Sequence, residues 1–172
     1  TMLDQVIITG DRAIFSPLLV GGIITGPIAP GILTGTGNGT VSQRKICVKG
    51  DEKKVVVPNC AYIAGSYTIP GMGTFKIKRL NAQNQVAKAT KLKNKAVVLK
   101  GSTFEAEFIV NVPAQMPTPG GPVPDSPPMK RYKGSGTFWV LTRAGYAKLP
   151  RCSPDGRPIA KIRRWQEQQI IN

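Results

Sequence analysis

The side chains of this sequence whose types could do chemistry are three cysteines, Cys47, Cys60 and Cys152, and two glutamates spaced two apart, Glu105 and Glu107. Three thiolates can hold one zinc or iron ion where strands converge at an apex too narrow for a hydrophobic core, with a fourth ligand from another group or from water. No Cys-x-x-Cys joins them, and the competing reading is three small buried hydrophobes, since free cysteine is among the most buried residue types. An odd number of cysteines cannot all pair within one chain, and their spacing fits no disulfide scaffold. The two glutamates share one face of an extended strand, about 7 Å apart at Cα. Paired carboxylates can hydrolyse glycosides, but no further polar partners accompany these, so solvated edge charges are expected. Histidine is absent, which removes His-based triads, Cys–His dyads, HExxH zinc sites and His proton shuttles. A non-enzymatic protein is expected.

The elements that must position these groups are strands. The chain has 172 residues, enough for one domain with a core, and Gly and Pro together (19 and 15) punctuate it heavily. Hydrophobic residues make up 41% and aromatics only 6%, so β-branched residues carry much of the apolar content, and strands and turns are favoured over helices. Strands are predicted at Gln5 to Thr9, Gly39 to Val48, Lys54 to Val57, Thr74 to Leu80, Ala96 to Lys100, Thr103 to Val112 and Gly136 to Thr142. The stretch Pro113 to Pro128 is nearly all Pro, Gly and small residues and reads as a loop. Residues 1–156 are expected to form one domain, and 157–172 a C-terminal extension with Ile159, Ile162, Trp165 and Gln169 or Ile170 at roughly helical spacing. The apolar stretch Leu18 to Leu33 contains Pro27, Pro30 and several glycines, and the opening residues lack a basic region. Neither a signal peptide nor a membrane span is expected, so the chain would be made in the cytoplasm.

An internal echo runs through the chain: Gly-x-Gly-Thr followed by Val or Phe, at Gly37-Asn38-Gly39-Thr40-Val41, Gly71-Met72-Gly73-Thr74-Phe75 and Gly134-Ser135-Gly136-Thr137-Phe138. Each copy places glycines where a turn needs positive φ or close backbone approach and then opens a strand, so Gly37, Gly39, Gly71, Gly73, Gly134 and Gly136 are candidate structural turns. A second echo relates Ile46-Cys47-Val48-Lys49-Gly50-Asp51 to Val97-Val98-Leu99-Lys100-Gly101-Ser102. The spacing of the copies is irregular, which disfavours a solenoid and suits a closed pseudo-threefold arrangement.

Lys and Arg number 24 against 9 Asp and Glu, a formal net charge of +15. Such a field attracts nucleic acid or anionic membranes non-specifically. A basic β-barrel nucleic-acid-binding protein is therefore the alternative reading, although the aromatics that a stacking surface needs mostly follow the glycines rather than the lysines.

The segment Gly26-Pro27-Ile28-Ala29-Pro30-Gly31 through Gly35-Thr36-Gly37-Asn38-Gly39-Thr40-Val41, then Lys45-Ile46-Cys47-Val48-Lys49-Gly50-Asp51, resembles the opening of PAAR-repeat and PAAR-like proteins. Cys60, Gly65-Ser66 and Thr68-Ile69 resemble the second half-repeat of that family, and Ala89 to Val112 its third. The resemblance implies a small pseudo-threefold β-cone on the end of a trimeric, VgrG-like spike of a contractile injection system: type VI secretion, an extracellular contractile particle or a phage tail. It implies one tip per trimer, puncture of the target membrane on firing, possible effector cargo, no specific nucleic acid, and export with the particle rather than by general secretion. The family's tip commonly binds zinc through several His and one Cys, and this chain has no His to offer.

Overall fold

The computed structural model describes residues 3–125, 130–140 and 148–150, with Leu3, Asp4 and the last stretch described by backbone alone. The described chain is all-β. In order, the strands are β1 (Leu3–Gln5), β2 (Arg12–Phe15), β3 (Leu18–Leu19), β4 (Gly22–Ile24), β5 (Gly31–Ile32), β6 (Thr40–Val41), β7 (Arg44–Lys45) and β8 (Val56–Ala64). They continue with β9 (Tyr67–Arg79), β10 (Val86–Leu92), β11 (Lys95–Val98), β12 (Thr103–Val112), β13 (Gln115–Met116), β14 (Val123–Pro124), β15 (Arg131–Trp139) and β16 (Lys148–Pro150), and one 3-10 turn lies at Asp51–Lys54.

One antiparallel sheet runs β3-β4-β8-β9-β12-β15-β2-β5. It curls, because the Val20 N–H after β3 donates to the Lys133 carbonyl on β15 at 2.9 Å and brings the sheet's start back towards its other side. Along Thr103 to Val112 the burial alternates: Phe104, Ala106, Phe108 and Val110 are buried, while Glu105 and Glu107 point away from the core. All five phenylalanines of the sequence lie inside the curl. Phe15 stacks on Phe75 at 4.8 Å, Phe108 meets Phe75 at 5.0 Å and Tyr62 at 5.3 Å, and Phe138 meets Phe104 at 5.0 Å. Concentrating the few aromatics in one cluster lets a chain poor in them fill the space between strands.

Several expectations change. The run Gly39 to Val48 is not one strand: it folds back at Ser42-Gln43, where both φ angles are positive (50° and 63°), giving the hairpin β6–β7. Lys54 closes the 3-10 turn, and the strand after it starts at Val56 and runs on to Ala64. The strand predicted at Thr74 begins seven residues earlier, at Tyr67. The Pro113 to Pro128 stretch is more than a loop within its described part: β13 pairs with β14 and touches β9 at Gln115↔Ile69, and Ala114 is fully buried. Its hold is polar. The Tyr132 hydroxyl and Lys130 both bond the buried Asp125 carboxylate, and the Ala114 N–H donates to the Tyr62 hydroxyl at 2.9 Å. Burial, then the bond and charge of Asp125, push the Tyr132 phenol upward, so it stays a donor.

The glycine echo is also corrected. Gly71 and Gly73 lie inside β9, and Gly134 and Gly136 inside β15, while Gly37 and Gly39 precede β6; none of the six has a positive φ. Gly37, Gly71, Gly73, Gly134 and Gly136 are sites of close approach rather than left-handed turns. A Cβ on Gly136 would stand 2.5 Å from the Phe104 ring and 2.6 Å from the Ile14 carbonyl, and one on Gly73 would stand 2.5 Å from the Phe108 ring. The second and third copies of the echo are true counterparts, each admitting a phenylalanine from β12; the first belongs to a different part of the fold.

Candidate functional site

The threefold signal lies in three short segments ending in Gly-Asp or Gly-Ser: Val6-Ile7-Ile8-Thr9-Gly10-Asp11, Ile46-Cys47-Val48-Lys49-Gly50-Asp51 and Val97-Val98-Leu99-Lys100-Gly101-Ser102. Each bridges the next in a closed cycle, Ile8↔Ile46, Val48↔Val97 and Leu99↔Val6. At the centre, three backbone bonds form a ring: Cys47 N–H to Ile7 O (2.9 Å), Val98 N–H to Cys47 O (3.0 Å) and Ile7 N–H to Val98 O (3.0 Å). A second ring surrounds it, with Thr9, Lys49 and Lys100 donating to Lys45, Ala96 and Gln5 carbonyls at 2.9, 2.8 and 2.8 Å. This is a pseudo-threefold hub. The sequence showed two of its segments; the first was missed because Thr9 stands where the others have Lys49 and Lys100.

Physical needs at each position explain the segment pattern. The chain turns sharply at Gly10, Gly50 and Gly101, whose φ values are 94°, 111° and 53°, a region that L side chains rarely adopt. The next residue caps the turn: Asp11 accepts from Ile8 N–H and Asp51 from Val48 N–H, both at 2.9 Å. Ser102 is too short for this, and the third segment uses Gln85 instead. The Gln85 carbonyl accepts from Leu99 N–H at 2.8 Å, and its buried amide donates to Lys100 O and Ser102 O, both at 3.3 Å.

Burial pushes the Asp51 carboxyl up, but bonds from Val48 and Thr36 and the Lys54 charge outweigh it and hold the pKa below the ordinary carboxylate value. Because folding lowers this pKa, the stabilisation is fully present above the unfolded value, near pH 4. It is lost as pH falls through the folded value. Asp51→Asn is expected to lower the denaturant midpoint at about pH 7 and to flatten its fall towards about pH 3; a variant with the wild-type pH slope would show that Asp51 is not the titrating group.

Alternation along the segments sends Ile7, Cys47 and Val98, all fully buried, into the aromatic core, and Val6, Ile8, Ile46, Val97 and Leu99 into a second cluster with Val41 and Ala87. Above that second cluster stand three two-stranded arms, β1–β16, β6–β7 and β10–β11. The inner strand of each leads into a hub segment. The long arm turns at Lys93-Asn94, again with both φ positive. From the hub turns, β2, β8 and β12 run away into the barrel-like sheet. There the cycle repeats, with β4 on β8, β9 on β12 and β15 on β2.

The sequence candidates can now be placed. Cys47 is a hub residue and Cys60 lies on β8, where its thiol faces the Val57 and Pro58 carbonyls at 3.7 Å; both cysteines are buried. Burial raises the Cys60 pKa, which keeps it a thiol. Among the described residues no three His, Cys, Asp or Glu side chains gather to hold a metal, and Cys152 lies outside them. With no histidine in the sequence, the described donors do not fit the zinc that the family resemblance implies. Glu105 pairs with Arg79 (2.6 Å) and Lys78 (3.4 Å), and Glu107 with Arg131 (2.9 Å). The Arg79 hydrogen bond leads in holding the Glu105 pKa below its ordinary value. These are ion-paired carboxylates on the outer face of the sheet.

The fold and the hub define an all-β protein built around one internal pseudo-threefold axis. A family model for contractile injection system spike tip proteins matches residues 2–147. The chain belongs to that family, and association with the spike of such a system follows from the membership. A search of curated proteins returns no match.

Proposed function

We propose that one copy of this chain caps a trimeric, VgrG-like spike, with the hub axis on the spike axis and the three arms facing the three protomer ends. The observation that supports this reading is the closed cycle of hub bonds. A single chain that repeats one strand arrangement three times around an axis offers matching edges to a partner whose three ends are identical. The outer arm strands β6, β10 and β16 have no further strand partner among the described residues, and such edges accept strand addition. Capping an exposed edge also prevents non-specific edge pairing by the spike.

The role is mechanical and non-enzymatic. Pairing around the curled sheet and the hub rings ties the barrel into one body that can transmit axial force as the sheath contracts and the tip breaches the target envelope. The chain would be made in the cytoplasm and leave with the particle on firing; effector cargo, if carried, would ride outside the arms. Mixing the chain with the purified spike trimer of the same particle is expected to give one tip per three spike chains by native mass spectrometry. A complex of three tips per trimer, or none, would end the capping reading.

A further inference from the structure

The two ends of the molecule carry their charge differently. On the barrel, Glu105, Glu107 and Asp125 each pair with Lys or Arg, although Lys76 and Lys133 form no ion pair among the described residues. On the hub end, Asp11, Asp51 and Glu52 are buried and committed to backbone N–H groups. Around them Arg44 and Lys45 on β7, and Lys49 ahead of its hub turn, are exposed. So are Lys88, Lys91, Lys93 and Lys95 on the long arm, and Lys100 ahead of the third turn. None of these cations forms an ion pair among the described residues. Asp4 on β1 is the one acid carried by an arm strand.

From this asymmetry we propose that the arm end seats on an acidic protein surface, the carboxylate-bearing end of the spike trimer, and that charge sets the speed of capping. The inference rests on the capping reading and names the chemistry of its partner. Nucleic acid is disfavoured because the arms 40–45 and 86–98 hold no aromatic residue on which bases could stack. A lipid surface is disfavoured because no large exposed apolar side chain lies on the arms 40–45 and 86–98. Unpaired cations on two of the three arms and their hub segments orient an approaching acidic partner. Such complementarity raises association rates more than it slows dissociation.

The test is association kinetics between the full chain and the purified spike trimer at about 50 and about 500 mM salt. The association rate constant is expected to fall roughly tenfold or more at high salt, with dissociation changing about twofold at most. The triple variant Lys91→Glu, Lys93→Glu, Lys95→Glu should reproduce the fall at low salt while keeping the wild-type melting temperature, because these side chains are exposed and unpaired. Lys133→Glu, on the barrel, should leave the rate unchanged. A one-per-trimer complex whose association ignores both salt and charge reversal overturns this inference and leaves capping standing. The same holds if the triple variant loses binding to duplex DNA or anionic vesicles while spike association is untouched. Absence of any complex at either salt overturns both.

Discussion

Replacing Cys47 by Asp is expected to abolish the folded cap. The thiol is fully buried in the aromatic core cluster, beside the pseudo-threefold axis that Cys47 surrounds together with Ile7 and Val98. An unpaired carboxylate there must be desolvated or protonated, at a cost of at least ~3 kcal/mol, a large part of the stability of an ordinary domain. The loss falls on the ring that joins the three segments, so arms and barrel should come apart together. Cys47→Val, similar in size and apolar, is expected to fold and to cap normally. Circular-dichroism melts of both variants, with native mass of the spike mixture, decide the matter. A well-folded Cys47→Asp chain would mean that the hub does not organise the fold, and a Cys47→Val chain that failed would reopen a ligand role for the thiol.

The second large effect is expected at the mid-strand glycines. Gly136→Ala drives a methyl to within 2.5 Å of the Phe104 ring; backbone on the Ile14 side cannot retreat without breaking the β15–β2 pairing. Overpacking of this kind costs roughly 1–3 kcal/mol or more, and in a chain of this length each kcal/mol lowers the melting temperature by about 2–4 °C. Gly73→Ala, against Phe108, should behave alike. The mechanism has its own signature: Phe104→Leu combined with Gly136→Ala should be more stable than the sum of the single effects allows, with a coupling of about 0.5–3 kcal/mol. Strict additivity would place the damage elsewhere.

These two sites also show how far the sequence could be read. The strand Thr103 to Val112 was legible to the residue because its alternation is a local property. The glycine echo drew attention to the right residues with two reasons left open: glycine's tolerance of positive φ and its lack of a side chain leave the same mark in a sequence, and only tertiary contact separates them. The hairpin at Ser42-Gln43 was hidden because a two-residue turn with both φ positive usually announces itself with Asn-Gly or Asp-Gly. The third hub cap was out of reach as well, since Gln85 does for Leu99 and Ser102 what Asp11 and Asp51 do from within their own segments. Family resemblance supplied the fold class and the spike-tip reading, and the threefold expectation was right in kind. Its real carriers are the segments that end in Gly-Asp or Gly-Ser. The C-terminal extension and Cys152 fall outside the described residues.

The three hub segments are alike in backbone and unlike in side chain: Ile, Cys and Val at the centre, and arms of two, three and up to seven residues per strand. A partner with true threefold symmetry cannot distinguish three seatings of such a cap that differ by a rotation of 120°. Each particle would then be frozen in one of three orientations, a statistical gain of a factor of three in the binding constant, ~0.65 kcal/mol. Images averaged with imposed symmetry would blur Cys47 into Ile7 and Val98, and the chain's own identity would emerge only from reconstructions in which that symmetry is released.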